Sequence, residues 1–459
     1  MLNEARRRSG LGFLKGISMS QRGSAAVERQ GIRPVPMEER THGWWDLTLV
    51  FVGIFTHLVA FAAGADFVRN LGFWRTVLCV TLGGALVIPF YLTGGWIAAR
   101  HGIPGSVAMR IAFGIRGSWI PSILNAVVAM GWFALQTSIS ALAFDKIIIS
   151  FGGGSHFHLW VLVWGLIYCL NAIIGYGFIT SFARYAVPVL YGMFAYVLFK
   201  IAATYDVTRA FAFVPAAGGL SFLFLTDAVF GGWGGTSLTL IADYSRYARN
   251  RAVTLSGGVA AVVVSTFVVS VGAMATIASG NRDITMTLLQ LGLGFSAMIV
   301  VIFATWTTNP CNTYSAGLSL SNVTGWGRVT GVAAMGTVGI SLALLGILEH
   351  MVYFLEVVGL TLAPANSILL VEYFFFARQR VDTRTLLDGG GPYDYWRGIN
   401  PAAVAAWGLA LAVILLLNFV VRAPWLALPA LSTCVLTGIL YAIFRWALMR
   451  RAPRQGPAQ

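Results

Sequence analysis

Residues 304–312 form a polar stretch, Ala-Thr-Trp-Thr-Thr-Asn-Pro-Cys-Asn, inside an apolar segment long enough to cross a membrane. Hydroxyl and amide groups are costly at membrane depth unless they line a binding site or pair with neighbouring helices. We therefore predict that Thr307 and Thr308 help to hold a cation. We expect Asn309 and Asn312 to lie near a small polar solute. Asn312 is the better candidate for ligand contact, since Asn309 could instead hold the helix geometry between the two sites.

An aromatic and amide pair occurs in an earlier apolar segment. Trp132 and Gln136 are four residues apart and therefore share one helical face. An indole stacks on a flat ring while an amide one turn away bonds to the ring's edge, so the pair favours a planar heterocycle. Gly232 and Trp233, within the glycine cluster 231–235, would add a second indole and exposed backbone groups. The alternative is ordinary helix packing, with the glutamine bonded to a neighbouring helix.

Three ionisable side chains lie within or at the end of apolar segments. His57 is the only histidine deep inside one, and an ionisable group there is a functional hypothesis by default. It would hydrogen-bond a substrate when neutral, or carry a coupling proton. A neutral histidine bonded to a neighbouring helix is the alternative. Asp243 and Arg246 are three residues apart near the end of a segment, and we expect them to pair or to join a cytoplasmic gate.

Membrane-spanning helices must position these residues. The 459 residues are 57% hydrophobic and 10% charged, whereas a soluble domain carries roughly 25% charged residues. Apolar runs of about 20 residues recur along the chain, which predicts an all-α polytopic membrane protein with about twelve transmembrane helices. We place the spans at 44–68, 74–99, 118–145, 157–176, 180–201, 218–246, 251–276, 286–321, 327–347, 350–377, 402–421 and 424–449. The eighth is too long for one crossing, so we expect its first part, near 285–292, to be a short separate helix.

The basic residues indicate the orientation. Most of the 31 Lys and Arg fall in segments that lie inside if the N-terminus is cytoplasmic, which predicts a plasma-membrane protein with both termini cytoplasmic. This placement accounts for the net charge of +14 without a nucleic-acid partner. Residues 1–42 lack an apolar signal region and are expected to form a basic cytoplasmic tail near anionic lipids. The four cysteines have no spacing typical of disulfides or zinc sites.

Spans one and six share an unusual composition. Each has glycines in mid-membrane, Gly53 and Gly64 in span one and the cluster 231–235 in span six. The two spans occupy matching positions if 43–201 and 218–377 are repeats of five spans. Interrupted helices at matching places indicate the central site of a transporter. Glycines that only permit close helix packing are the alternative. The remaining predicted units are a cytoplasmic loop at 378–401, spans eleven and twelve at 402–449, and a cytoplasmic tail at 450–459.

Several short segments resemble the nucleobase–cation symporter-1 family, which includes cytosine permeases and a hydantoin permease. The likeness covers roughly residues 35–450 and rests on the order and spacing of the segments taken together. The segments are Gly131-Trp-Phe-x-x-Gln136, Ala242-Asp-Tyr-Ser-Arg-Tyr247 and Trp306-Thr-Thr-Asn309, with weaker matches at Pro364, Glu372-Tyr-Phe374 and Gly398-Ile-Asn-Pro401.

The resemblance implies a LeuT-type 5+5 inverted repeat plus two C-terminal helices. It also implies a sodium site between spans one and eight, and hard oxygen ligands suit a small hard cation. The implied ligands are the carbonyls of Gly53, Thr56 and Ala304 and the hydroxyls of Thr307 and Thr308. The implied substrate site comprises His57, Trp132, Gln136, a helix break at Gly232–Trp233 and an asparagine of span eight.

These features together predict a secondary-active symporter, plausibly monomeric, that imports a nucleobase or related planar heterocycle through alternating access driven by Na⁺. The ligand would be of the cytosine, purine, uracil or hydantoin type. One alternative is proton coupling through His57, and another is an amine or amino-acid transporter of the same fold. An enzyme or an ATP-driven pump is not expected, because the sequence has no Walker loop and no cluster of His, Asp and Glu at one membrane face.

Overall fold

The computed structural model describes residues 30–216, 219–281, 283–421, 423 and 426–451. The predicted N-terminal tail therefore lies outside the described residues up to position 29. Of the predicted C-terminal tail, residues 452–459 lie outside them as well. The described part of the chain is helical throughout and contains no β-strand.

Eighteen α-helices are formed by the described residues. They are α1 (Trp44–Phe55), α2 (Leu58–Leu71), α3 (Phe73–His101), α4 (Gly105–Phe113), α5 (Trp119–Ser150), α6 (Phe157–Ile174), α7 (Tyr176–Thr204), α8 (Thr208–Ala212), α9 (Phe222–Ser245), α10 (Thr254–Ser279), α11 (Ile284–Gln290), α12 (Gly294–Trp306), α13 (Asn309–Thr324), α14 (Arg328–Leu344), α15 (Met351–Val371), α16 (Thr383–Asp388), α17 (Pro401–Leu415) and α18 (Pro429–Arg451). Short π-helical turns extend α15 and α17.

Among the described residues, nine helical segments are long and apolar enough to cross a membrane, and the bent pair α1 and α2 makes a tenth. The two remaining predicted spans correspond to α9 and α14. Helices are the expected solution because backbone groups in lipid must be satisfied within their own segment. The prediction of an all-α polytopic protein is therefore confirmed, and about twelve spans is consistent with these helices.

Span one is interrupted at the predicted place. The helix α1 ends at Phe55, α2 begins at Leu58, and their axes differ by 50°. His57 has an extended backbone, with φ −128° and ψ 152°, and is the N-cap of α2. The last carbonyls of α1 consequently have no continuing helix to donate to them, which leaves them available to other groups.

Span six is not interrupted, and the predicted break at Gly232–Trp233 is wrong. The helix α9 runs without a break from Phe222 to Ser245. Its glycines permit close packing instead, because a Cβ on Gly231 would lie 2.8 Å from the Cα of Gly359 on α15. Small residues let membrane helices approach closely while each keeps its own hydrogen bonds. The packing alternative therefore describes this cluster.

Span eight divides into three helices. The expected short helix near 285–292 is present as α11, and α12 then leads to Trp306. Thr307 and Thr308 separate α12 from α13, which begins at Asn309 with Pro310 in its first turn. Proline suits this position because the first amides of a helix have no intrahelical acceptor. The polar stretch that we singled out in the sequence thus lies at a helix junction.

Candidate functional site

Oxygen atoms of spans one and eight meet where both spans are interrupted. The Thr308 hydroxyl lies 3.1 Å from the Gly53 carbonyl oxygen and 3.0 Å from that of Ala304. The Thr307 hydroxyl lies 3.2 Å from each of the same two carbonyls. The Ile54 carbonyl is a further neighbour, 3.4 Å from Thr308 Oγ1. Four of the five residues predicted to bind a cation are therefore in direct contact.

This group has more acceptors than donors. Thr308 can donate one proton, yet its hydroxyl lies within reach of three carbonyls, those of Gly53, Ile54 and Ala304. Thr307 is likewise within reach of three, including that of Phe303 at 2.9 Å. Two hydroxyl protons cannot satisfy these contacts at once. The carbonyls of Gly53 and Phe303 also accept backbone amides, from Thr56 at 3.2 Å and from Thr307 at 3.1 Å, so the threonine contacts use their second lone pairs. Neutral oxygens packed about 3 Å apart are a donor set that suits a small hard cation.

Thr56 is oriented differently from the other four. Its hydroxyl donates to the Val52 carbonyl at 2.7 Å and lies 3.0 Å from the Tyr191 hydroxyl on α7. The side chain therefore links span one to span five. The role predicted for Thr56 concerned its backbone carbonyl and stays a prediction.

A narrow cavity of about 40 Å³ lies beside the oxygen group. Six of the seven predicted substrate contacts line it, although they come from four separate helical segments: His57, Trp132, Gln136, Gly232, Trp233 and Asn312. The His57 and Trp132 rings are 6.0 Å apart in an edge-to-face arrangement. Thr308 lines the same cavity, so one side chain borders both the oxygen group and the cavity.

Buried polar atoms around this cavity have no hydrogen-bond partner in the described part of the chain. They include Gln136 Oε1, Asn312 Nδ2 and the Tyr91 hydroxyl, and all three residues line the cavity. Such atoms are rare in folded proteins, and each requires an explanation. Because two amides and a phenol supply both donors and acceptors, the cavity can bind a ligand whose edge alternates the two.

His57 has a defined tautomer in this arrangement. Its Nδ1 accepts a hydrogen bond from the backbone amide of Ala60 at 3.1 Å, as the side-chain cap of α2. A neutral imidazole that accepts at Nδ1 carries its proton on Nε2. His57 is therefore a hydrogen-bond donor toward any further partner. A second proton would have to go on Nδ1, and that would remove the cap.

Asn309 does not line the cavity. Its Nδ2 donates to the Thr137 hydroxyl at 2.9 Å and to the Phe133 carbonyl at 3.2 Å, both on α5. The side chain thus joins the start of α13 to α5, immediately beside the two threonines. This geometry fits the helix-positioning alternative for Asn309 rather than ligand contact.

Some lining residues were missed in the sequence. Ser237 lies four residues after Trp233, so the same spacing that identified Trp132 and Gln136 would have identified this pair. Thr236 neighbours it, and Tyr91 on α3 also reaches the cavity. No local pattern marked Tyr91, because its position depends on how α3 packs against α9.

A side chain of span ten makes hydrogen bonds to the backbone of span six. The Asn366 side-chain amide on α15 donates to the carbonyls of Gly234 and Gly235, at 2.8 and 3.0 Å. The carbonyls around the glycine cluster, which we expected to contact a ligand, are used in this way by a neighbouring helix. Asn366 lies two residues after Pro364. An asparagine inside an apolar span was the sequence signal from which a polar contact could have been predicted.

Asp243 and Arg246 are buried at the C-terminal end of α9, beginning about one turn after Leu240 of the cavity lining. Asp243 Oδ1 accepts from the Gly105 amide of α4 at 2.9 Å. Arg246 donates to the Tyr314 hydroxyl of α13 at 2.7 Å and to the Gly31 carbonyl at 2.6 Å. These bonds link the end of α9 to α4, to α13 and to the segment before α1. Their role in gating stays a prediction.

The sequence matches a known family over most of its length. A family model for permeases for cytosine/purines, uracil, thiamine and allantoin matches residues 34–436. The chain belongs to this permease family. It is 27% identical to a hydantoin permease of Microbacterium maritypicum over 409 residues, which are 83% of this chain and 82% of the relative. It is 26% identical to the cytosine permease of Escherichia coli strain K12 over 347 residues, covering 75% and 81% of the two chains.

Solved structures have the same fold as this permease. One is Mhp1, a nucleobase-cation-symport-1 family transporter in a closed conformation with bromovinylhydantoin bound, with a TM-score of 0.79, 24% identity, and 94% and 97% coverage. Another is a Na⁺-coupled sialic acid symporter, with a TM-score of 0.65, 12% identity, and 93% coverage of both chains. These structures confirm the LeuT-type fold, and the family model confirms the predicted family. The permease is an integral membrane transporter of nucleobase-like substrates, not an enzyme.

Proposed function

We propose that this permease imports a planar, carbonyl-bearing heterocycle together with Na⁺. The observation that carries the proposal is the position of Thr308, whose hydroxyl belongs to the oxygen group and whose side chain also borders the cavity. A cation bound by Thr308 would fix the wall of the substrate cavity. By linkage, substrate binding must then strengthen cation binding by the same factor.

Sodium is favoured over a proton by the chemistry of the two candidate groups. The oxygen group brings the carbonyls of Gly53 and Ala304 close to two hydroxyl oxygens, and a cation could bind to the lone pairs that these oxygens have left. His57 is the group that would have to carry a proton, but its Nδ1 already accepts from Ala60. Taking up a proton there would remove the cap of α2 in each cycle.

The cavity lining favours a heterocycle over an amine or an amino acid. Trp132 and Trp233 offer aromatic faces, and base–aromatic stacking contributes about 1–3 kcal/mol per base. Gln136 and Asn312 can pair with a cis-amide edge such as –NH–CO–. The Nε2–H of His57 requires an acceptor, which a ring carbonyl supplies and an amino group does not. We therefore expect heterocycles with a ring carbonyl to bind more tightly than analogues in which that carbonyl is removed.

Binding must widen the cavity, because about 40 Å³ is far below the 300–1,000 Å³ usual for ligand sites. Larger cavities of about 400 and 330 Å³ lie along α2, and both are bordered by Asp66 and Met351. We propose that both termini are cytoplasmic, which would put these cavities on the outer side of the membrane. Substrate would then enter through them and leave after one group of helices rocks against the other.

Reconstituted transport tests the proposal. Proteoliposomes with an inward Na⁺ gradient should take up labelled uracil or hydantoin several-fold faster than proteoliposomes in choline. Trp132→Ala and Asn312→Ala should reduce this uptake strongly, whereas Leu409→Ala, at an exposed position of α17, should not. Equal uptake in Na⁺ and choline, with loss on collapse of a proton gradient, would replace sodium by proton coupling. Normal uptake by both cavity variants would contradict the site.

A further inference from the structure

Positive charge is concentrated where α3 ends. The helix finishes with Arg100 and His101, and the buried guanidinium of Arg40 lies against the same turn. Arg40 donates to the Ala99 carbonyl at 3.0 Å and to the Val35 carbonyl at 3.0 Å. These bonds hold a second cation in a fixed position at the end of α3 that we assign to the cytoplasmic side.

A third cation comes from Arg251, in the short turn just before α10. The guanidinium of Arg251 lies 5.3 Å from the ring centre of Trp96, one turn before Arg100. The charges that act on the His101 imidazole are all guanidinium groups, namely those of Arg100, Arg40 and Arg251. Like charges gathered in this way repel one another, so the arrangement is more stable when an anion joins it.

A surface cavity of about 440 Å³ opens beside this cluster. Arg100, His101 and Arg380 line it, and Arg380 is exposed on the segment that follows α15. In the part of the chain that the structure describes, Arg100, Arg251 and Arg380 form no ion pair with a carboxylate. Asp382 is the one acidic residue of the lining, and its Oδ1 accepts from the Arg384 amide at 3.0 Å.

Two further side-chain acceptors of the lining are already occupied. The Tyr393 hydroxyl accepts from the Asp382 amide at 3.1 Å. Gln379 Oε1 accepts from Trp96 Nε1 and from an Arg100 nitrogen, each at 3.0 Å. The cavity therefore presents guanidinium donors with few competing acceptors. Forked guanidinium donors match the oxygens of a phosphate, and they do so better than a lysine. Trp96 is half-buried near a span end, the depth at which tryptophan meets lipid headgroups.

We propose that this cavity binds a phosphate group, supplied by the headgroup of an anionic phospholipid of the inner leaflet. The phosphate contacts Arg100 and Arg380 and lies within the field of Arg251 and Arg40. It thereby joins the end of span two to the segment after span ten and the start of span seven. The site is separate from the transport cavity and is independent of which solute the permease carries.

The purified full-length protein in nanodiscs tests this site. Its thermal unfolding midpoint is compared in phosphatidylcholine alone and in equal parts phosphatidylcholine and phosphatidylglycerol. We expect a rise of several degrees with phosphatidylglycerol, reduced in Arg380→Gln and in Arg100→Gln. Each lost guanidinium should weaken phosphatidylglycerol binding about fivefold. Arg384→Gln, on the same segment but outside the cavity lining, is the matched control and should keep the full rise.

Added inorganic phosphate distinguishes the source of the ligand. A midpoint that rises in phosphatidylcholine nanodiscs when phosphate is added, and not in Arg380→Gln, would support the site but assign it to free phosphate. A response to phosphatidylglycerol alone supports the lipid. Identical midpoints in both nanodiscs with no effect of phosphate would overturn the proposal. An undiminished rise in both variants would overturn it as well.

Discussion

The hydroxyl of Thr308 lies 3.1 Å from the carbonyl oxygen of Gly53, although 254 residues separate the two in the sequence. Both atoms lie at helix interruptions, one after Phe55 and one between α12 and α13. A helix end is where carbonyls are free of intrahelical partners. This contact therefore joins the helix interruptions of spans one and eight, where backbone carbonyls can accept from groups outside their own helix.

Replacing Thr308 should alter the response to sodium. In Thr308→Ala the oxygen group loses one ligand, so the Na⁺ concentration for half-maximal uptake should rise about tenfold or more, as losses around metal sites usually produce. Thr308→Ser keeps the hydroxyl and should stay close to wild type. Thr324→Ala, at the exposed end of α13, is the control. An unchanged Na⁺ dependence in Thr308→Ala would contradict the cation site.

Two substitutions of His57 separate its roles as cap and as donor. Asparagine caps helices well, so His57→Asn should keep the cap of α2 while losing the Nε2–H, whereas His57→Ala should lose about 1 kcal/mol of stability with the cap. An unpaired ligand carbonyl costs about 1–3 kcal/mol, so both variants should bind substrate weakly.

The uptake of both His57 variants is then measured with and without a proton gradient. We expect the residual uptake to remain dependent on Na⁺. If His57→Asn instead lost a dependence on the proton gradient that the wild type possessed, His57 would be the proton carrier after all.

Removal of the Asn366 amide should loosen the contact between α15 and α9. Asn366→Leu deletes the hydrogen bonds to Gly234 and Gly235, and each is worth about 0.5–1.5 kcal/mol. We expect a lower thermal unfolding midpoint. Because Asn366 does not line the transport cavity, the protein that remains folded should bind substrate and Na⁺ with little change in affinity. A wild-type midpoint would show that the bonds do not stabilise the fold.

The glycines of α9 can be tested with a matched pair of substitutions. A Cβ at Gly235 would overlap Val358 Cγ1, so Gly235→Ala should destabilise the protein by about 1–3 kcal/mol through overpacking. Gly192 on α7 has no neighbour within 4 Å of a Cβ, so Gly192→Ala should be neutral or slightly stabilising. The measurement is the thermal unfolding midpoint of each variant. Equal effects would contradict the close-packing role of the α9 glycines.

The helical architecture and the presence of a buried polar site could be predicted from the sequence alone. Apolar runs long enough to cross a membrane must form helices to satisfy their backbone groups, so the all-α architecture and the approximate places of the long helices could be predicted. The polar residues inside those runs, such as Thr308, Gln136 and Asn312, must avoid lipid. Their concentration in a few spans therefore predicted a buried binding site.

The tertiary structure decided which of these residues meet and how. The glycines at 231–235 suited either a break or close packing, and the approach of α15 with Asn366 decided for an unbroken helix. Asn309 and Asn312 are one turn apart, yet Asn309 turns to α5 while Asn312 faces the cavity. Side-chain direction across a helix interface depends on neighbours far away in the sequence, and local residue spacing does not identify those neighbours.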